Sequence, residues 1–258
     1  MTKIIEEGTT FFIGKVLAPF SLGIYTRSNQ FASLPATSLG TIVSSVLFPS
    51  LSAIKNDTSK FNHVYINAIK YQGLLSIPLF LWLAMACEPM IRILLTEKWI
   101  AVVPVLQILS IGRILFPVAN ITEQVLNAKG RSDLFLKQQM IKMGTKCIFI
   151  LIALKFGLIA IAVAEATYNI LQFFITNYFA KGITPFNIIY QLRLIFPFIL
   201  IGFLSAGLGY IWIEILSNNY LQIVFSLLTA IGSYYLILTI FYDKHIFISI
   251  LSHIKKRS

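Results

Sequence analysis

Acidic side chains are scarce in this chain: ten Asp and Glu in 258 residues, against 21 Lys and Arg and three His. That scarcity excludes most carboxylate-driven chemistry. There is no DxD and no HExxH pattern, and His63, His245 and His253 have no metal-ligand spacing. No metal site or cofactor is implied. Cysteine is nearly absent too. Cys87 and Cys147 form no CxxC pair and lie in apolar runs, so reduced structural thiols are expected. Low-complexity linkers and segments composed like a soluble domain are also missing.

What the chain has is apolar surface. Hydrophobic residues make up 57% and charged residues only 12%, with a mean hydropathy of +0.80, where soluble domains carry about 25% charge. Lipid is therefore the expected solvent. The net charge of +11 does not indicate nucleic acid, because the basic residues are dispersed through short loops rather than gathered on one polar face. The opening MTKIIEEG carries acids where a secretory leader needs bases, so the first membrane helix is expected to act as the insertion signal.

Apolar runs long enough to span fall at about 29–50, 68–87, 102–126, 138–156, 158–180, 194–215 and 220–242. A charged stub at about 4–20 is too short to span convincingly. Seven spans alternate the loops so that 14 Lys and Arg fall on one side and five on the other. The first group includes Lys55, Lys129, Lys142, Lys146 and Lys181, the second Arg27, Arg92 and Lys155. By the positive-inside rule the first side, with the SHIKKRS terminus, is cytoplasmic. DTSKFNHVYINAIKYQG and TPFNIIYQLRL have amphipathic spacing and are expected to lie along the cytoplasmic leaflet. Lys142 and Lys146 are expected to snorkel to that surface. Pro35, Pro78, Pro104, Pro117 and Pro197 mark expected kinks.

Several spans carry polar stripes. Arg113, Pro117, Asn120, Gln124 and Asn127 recur at four, three, four and three, one continuous face if the segment is a single helix, with Glu123 beside it. Glu165, Asn169, Gln172 and Thr176 repeat the spacing. Gln30, Ser33, Thr37, Thr41 and Ser44 form a milder stripe, with Arg27 at its mouth. Ser, Thr, Asn and Gln often do no more than bridge helices. Arginine or glutamate in mid-membrane must face water or a counter-charge. Arg113 and Glu165 therefore either line a hydrated cavity or form a buried ion pair, and Arg27 is either a ligand group or an interfacial anchor.

The segments IGKVLAPFSLGIYTRSNQFASLP, SSVLFPSLSAI, LLTEKWIAVVPVLQILSIGRILFPV, LNAKGRSDLFLKQQMIK and KFGLIAIAVA, spread from about Ile13 to Phe179, resemble the polysaccharide transporter family of Wzx-type flippases. These form part of the multidrug/oligosaccharidyl-lipid/polysaccharide exporter superfamily. The resemblance implies an all-α, polytopic membrane helix bundle of two six-helix lobes with two further helices. Residues 1–180 would be the second lobe, its first helix truncated, and 181–258 the two added helices and a basic tail. A first lobe would then be absent, either because this is a fragment or because a separately encoded N-terminal lobe is the partner.

The implied cargo is an oligosaccharide repeat unit on polyprenyl pyrophosphate, carried across a bacterial cytoplasmic membrane. Arg113 and Arg27 would meet the pyrophosphate. Asn120, Gln124, Asn127, Asn169 and Gln172 would meet sugar hydroxyls, and Glu165 and Glu123 would couple transport to an ion. The alternatives are a drug exporter of the same superfamily, which would want acidic cavity residues, an inactive or structural membrane partner, and a membrane-embedded glycan enzyme, for which paired carboxylates are wanting.

Overall fold

A computed structural model describes residues 14–15, 18–184 and 187–241. The described part is helical: α1 Pro19–Ala53, α2 Thr58–Leu94, α3 Val102–Gly112, α4 Phe116–Ala128, α5 Ser132–Ala153, α6 Leu158–Phe179, α7 Ile188–Ile215 and α8 Asn219–Phe241. The basic tail and most of the N-terminal stub lie outside the described residues.

Helices α1, α2, α6, α7 and α8 are each long and apolar enough to cross a membrane. A helix pairs its backbone polar groups internally, as lipid requires, apart from the carbonyls freed by Pro35 and Pro49 in α1, Pro78 and Pro89 in α2 and Pro197 in α7. Helices α3 and α4 meet at a 42° bend and are long and apolar enough only as a pair, as one broken span or a re-entrant loop. The bend has a local cause. Pro117 sits in the first turn of α4, where its missing N–H costs nothing, so the helix stops after Gly112 and restarts at Phe116. The expected span near 138–156 corresponds to α5. Three lysines, Lys137, Lys142 and Lys146, leave α5 outside the set that length and hydropathy assign to lipid.

Two expectations fail. The amphipathic stretch after Asp57 is not a separate surface helix; it forms the first turns of α2, an unbroken helix of 37 residues. Asp57 caps it by accepting from the Lys60 backbone N–H at 3.0 Å. Its apolar face, Phe61, Tyr65 and Ile69, is buried in protein rather than in lipid. Likewise residues 188–194 of the second stretch are the first turns of α7, and Gln191 there is fully buried. A 3.6-residue periodicity identifies the apolar face but not the apolar partner.

The largest core joins α1, α2, α4, α6, α7 and α8 around Leu51, Phe61, Tyr65, Phe80, Phe173 and Phe198. Small residues allow close approach. A Cβ at Gly209 on α7 would stand 2.8 Å from the Ser226 carbonyl oxygen on α8, and one at Gly112 would stand 2.4 Å from Ala166 Cα on α6. Gln191 donates to the Tyr65 hydroxyl at 2.9 Å and also to Asn177 Oδ1, while Tyr65 meets Thr122 at 3.0 Å. This network keys α7 to α2, α4 and α6.

Candidate functional site

The structure divides the candidate residues between two places. The first is a surface groove between α1 and α4, about 580 Å³, walled by Thr37, Gly40, Thr41 and Ser45 on one side and Phe116, Asn120 and Gln124 on the other. Arg27, Gln30, Thr37 and Thr41 follow one face of α1, and all four are exposed. Arg27 donates to Gln30 Oε1 at 3.0 Å, which aligns its guanidinium along that face. Asn127 lies half-buried one turn beyond Gln124. The described structure says nothing of the Ser44 side chain.

The second place is the interior. Arg113 caps α3 at the bend, so it does not continue the α4 stripe; the single-face reading from Arg113 to Asn127 is corrected by the break that Pro117 imposes. Arg113 points inward, 8% exposed, and its Nη2 stands 3.5 Å from Glu165 Oε1, itself on a residue 3% exposed. It also donates to the Asn29 backbone carbonyl at 3.2 Å and to the Asn29 side-chain oxygen. Tyr25 donates its hydroxyl to the other Glu165 oxygen. One carboxylate on α6 thus gathers groups from α1 and the α3–α4 bend. Of the two readings open for Arg113 and Glu165, the protein adopts the buried ion pair.

A third member was not anticipated. Lys146 is 8% exposed, its Nζ 3.5 Å from Glu165 Oε1 and 5.6 Å from the centroid of the Tyr168 ring. Lys142, 2% exposed, pairs with Glu123, which also accepts from Gln139 at 3.5 Å. The expectation that both lysines snorkel to the surface is therefore overturned. Lys142 and Lys146 are one turn apart on α5, and that face turns into the bundle because two carboxylates wait there; a buried ammonium is tolerable only when paired. A spacing of four between the lysines and the lone acids Glu123 and Glu165 was the available signal, but sequence alone does not bring α5 against α4 and α6.

The rest of the α6 stripe is also internal. Asn169, Gln172 and Thr176 are all buried, and the Asn169 amide nitrogen and Thr176 hydroxyl have no partner among the described residues. Gln138, one turn before Lys142 on α5, has both amide atoms unpartnered as well. Buried polar atoms of this kind are uncommon and usually meet ordered water. The interior seam between α5 and α6 is thus polar along most of its length. It holds Arg113, Lys146 and Lys142 against Glu165 and Glu123, three cations to two carboxylates. Asn120, Gln124 and Arg27 face outward, whereas Arg113, Glu165, Asn169 and Gln172 do not. No group of three or more His, Cys, Asp or Glu able to hold a metal occurs among the described residues.

Comparison with known proteins agrees with this architecture. Residues 1–104 match the family described as polysaccharide biosynthesis protein. The teichuronic acid biosynthesis protein TuaB of Bacillus subtilis is 35% identical over 122 residues, 47% of this chain and 25% of that protein. The lipopolysaccharide biosynthesis protein WzxC of Escherichia coli is 28% identical over 134 residues, 52% of this chain and 27% of that one. The chain therefore covers about a quarter of the length of these relatives. Among solved structures, the lipid II flippase MurJ in its inward closed conformation superimposes with a TM-score of 0.73 at 21% identity, covering 88% of this chain and 48% of MurJ. This protein is a multi-pass membrane relative of the polysaccharide biosynthesis proteins, and its helices adopt the fold seen in MurJ.

Proposed function

We propose that this chain forms one lobe of a flippase that carries oligosaccharide repeat units, linked to a polyprenyl pyrophosphate, across a bacterial cytoplasmic membrane. Residues 1–180 act as the second lobe and 181–258 add two helices. The opposite wall of the transport path comes from a further lobe, in the same polypeptide or in another chain. The observation that carries this reading is the groove between α1 and α4. A membrane bundle here exposes Arg27, Gln30, Thr37 and Thr41 along one face, beside half-buried Asn120 and Gln124, where lipid contact would favour apolar residues.

The roles follow from that placement. Arg27 offers a planar fork to a diphosphate, and Asn120, Gln124 and Asn127 offer donors and acceptors to sugar hydroxyls. Arg113, Asn169 and Gln172, behind the first layer of helices, act indirectly by holding α1, α4 and α6 in register. Glu165 and Glu123 are each countered by a cation, and coupling to an ion would have to disturb those pairs. The cation-rich end of the bundle faces the cytoplasm and brings the C-terminus to the same side.

The test uses the complete transporter in its native membrane. Arg27→Ala combined with Asn120→Leu and Gln124→Leu is expected to lower surface polysaccharide at least tenfold and to accumulate lipid-linked repeat units in the inner leaflet, with the protein present at its usual amount. Normal export by the triple variant would overturn the assignment.

A further inference from the structure

A cavity of about 730 Å³ lies away from both the groove and the buried ion pairs. It is formed by the first half of α5, the end of α6, Lys181 and Thr184 just after it, and Asn187 with the start of α7. Its walls are Ile141, Phe174, Ile175, Phe179, Ile188 and Ile189. Ile141, Phe174 and Ile189 are well exposed, so the cavity opens through an apolar rim on the outside of the bundle. Its polar groups are Lys181, Asn187 and Tyr178, all exposed, with Thr184, whose hydroxyl donates to the Ala180 carbonyl, and Asn177, whose amide is already engaged with Phe173 and Gln191.

The charge around this opening is one-sided. Lys181 lines it, and Lys137 lies one turn before Ile141 on the same face of α5. Neither has a carboxylate partner among the described residues, whereas the two acids at this end, Asp57 and Asp133, are already paired with Lys60 and Arg131. Among the described residues Lys55, Lys60, Lys129, Arg131, Lys137, Lys181 and Arg193 fall at this end, seven cations against those two carboxylates. At the opposite end Arg92 is held by both Glu88 and Glu97.

We infer that this cavity is a binding site for an anionic phospholipid, one acyl chain seated among the Ile and Phe walls and the headgroup phosphate held by Lys181 and Lys137. An aliphatic slot that opens toward lipid fits a hydrocarbon chain by shape and polarity. Two uncompensated ammonium groups at the headgroup level fit a net negative lipid and disfavour a zwitterionic one. The apolar walls, opening toward lipid on the outside of the bundle and away from the groove between α1 and α4, commit the site to bulk membrane lipid rather than to a glycan-bearing lipid. The inference does not depend on the transport reading. It gives the structure a lipid contact that braces α5 against α7.

The experiment is native mass spectrometry of the full-length protein released from nanodiscs of equal parts phosphatidylglycerol and phosphatidylcholine. The wild-type protein is expected to retain phosphatidylglycerol preferentially. Lys137→Gln with Lys181→Gln is expected to lower that preference about fivefold per lysine, while Lys137→Arg with Lys181→Arg keeps it, and Lys155→Gln at the opposite end changes nothing. The Arg pair separates loss of charge from loss of fold. A wild-type protein without preference, or a Gln pair that keeps it, would overturn the site, and so would retention of the glycan-bearing lipid alone.

Discussion

Replacing Glu165 with Gln tests whether the interior of this bundle is organised by charge. The substitution keeps size and shape but removes the one carboxylate that faces both Arg113 and Lys146 at 3.5 Å. At that separation and an effective dielectric near 20, each pair is worth roughly 5 kcal/mol before desolvation. Desolvation cancels much of it, and breaking a buried pair by deleting one partner costs about 3–5 kcal/mol because an uncompensated charge is left behind. Glu165→Gln leaves two such charges and also weakens the bond from Tyr25, so the upper part of that range, about 5 kcal/mol, is expected.

Lys146→Met makes the contrast. It removes one long contact and leaves Glu165 still paired with Arg113 and Tyr25, so about 1–2 kcal/mol is expected, near the low end for hydrogen bonds to charged groups. The double variant should be more stable than Glu165→Gln alone, since it removes one of the stranded cations. The assay is unfolding of the detergent-solubilised protein followed by denaturant or heat. Equal losses for the two single variants, or a Glu165→Gln protein as stable as wild type, would refute the shared-carboxylate reasoning.

Gly112→Ala is expected to destabilise the protein by about 1–3 kcal/mol. Its Cβ would stand 2.4 Å from Ala166 Cα and 2.5 Å from Ala166 Cβ. Adding Ala166→Gly should not restore stability, because the backbone atom remains; full rescue in a thermal-shift measurement would argue against so close an approach. At the start of α5, the guanidinium of the N-cap residue Arg131 holds the first-turn Asp133 carboxyl down at about 2. Because the folded value lies below the ordinary carboxylate value, the pair contributes above about pH 4 and is lost as the pH falls toward 2. Carbon-detected NMR of labelled Asp should find Asp133 still ionised at pH 3 in wild type, and titrating near its ordinary value of 3.8 in Arg131→Gln.

Membrane residence, the all-helical class and the approximate place of most crossings are written in the sequence, because lipid demands long apolar runs with internally paired backbones. Arg113 and Glu165 also stand out there, since an ionised group in such a run always needs a partner or water. Periodicity, however, assumes a continuous helix. Pro117 breaks that assumption, and the 42° bend it permits takes Arg113 off the face that carries Asn120 and Gln124. Lys142 and Lys146 show the other limit. One long ammonium side chain reads the same whether it reaches for headgroups or for a carboxylate on the next helix. Only the packing of α5 against α4 and α6, which brings Glu123 and Glu165 within reach, decides that these two lysines turn inward. The sequence by itself determined which residues needed a partner; which partner each one found depends on distances between helices, and those exist only in the folded bundle.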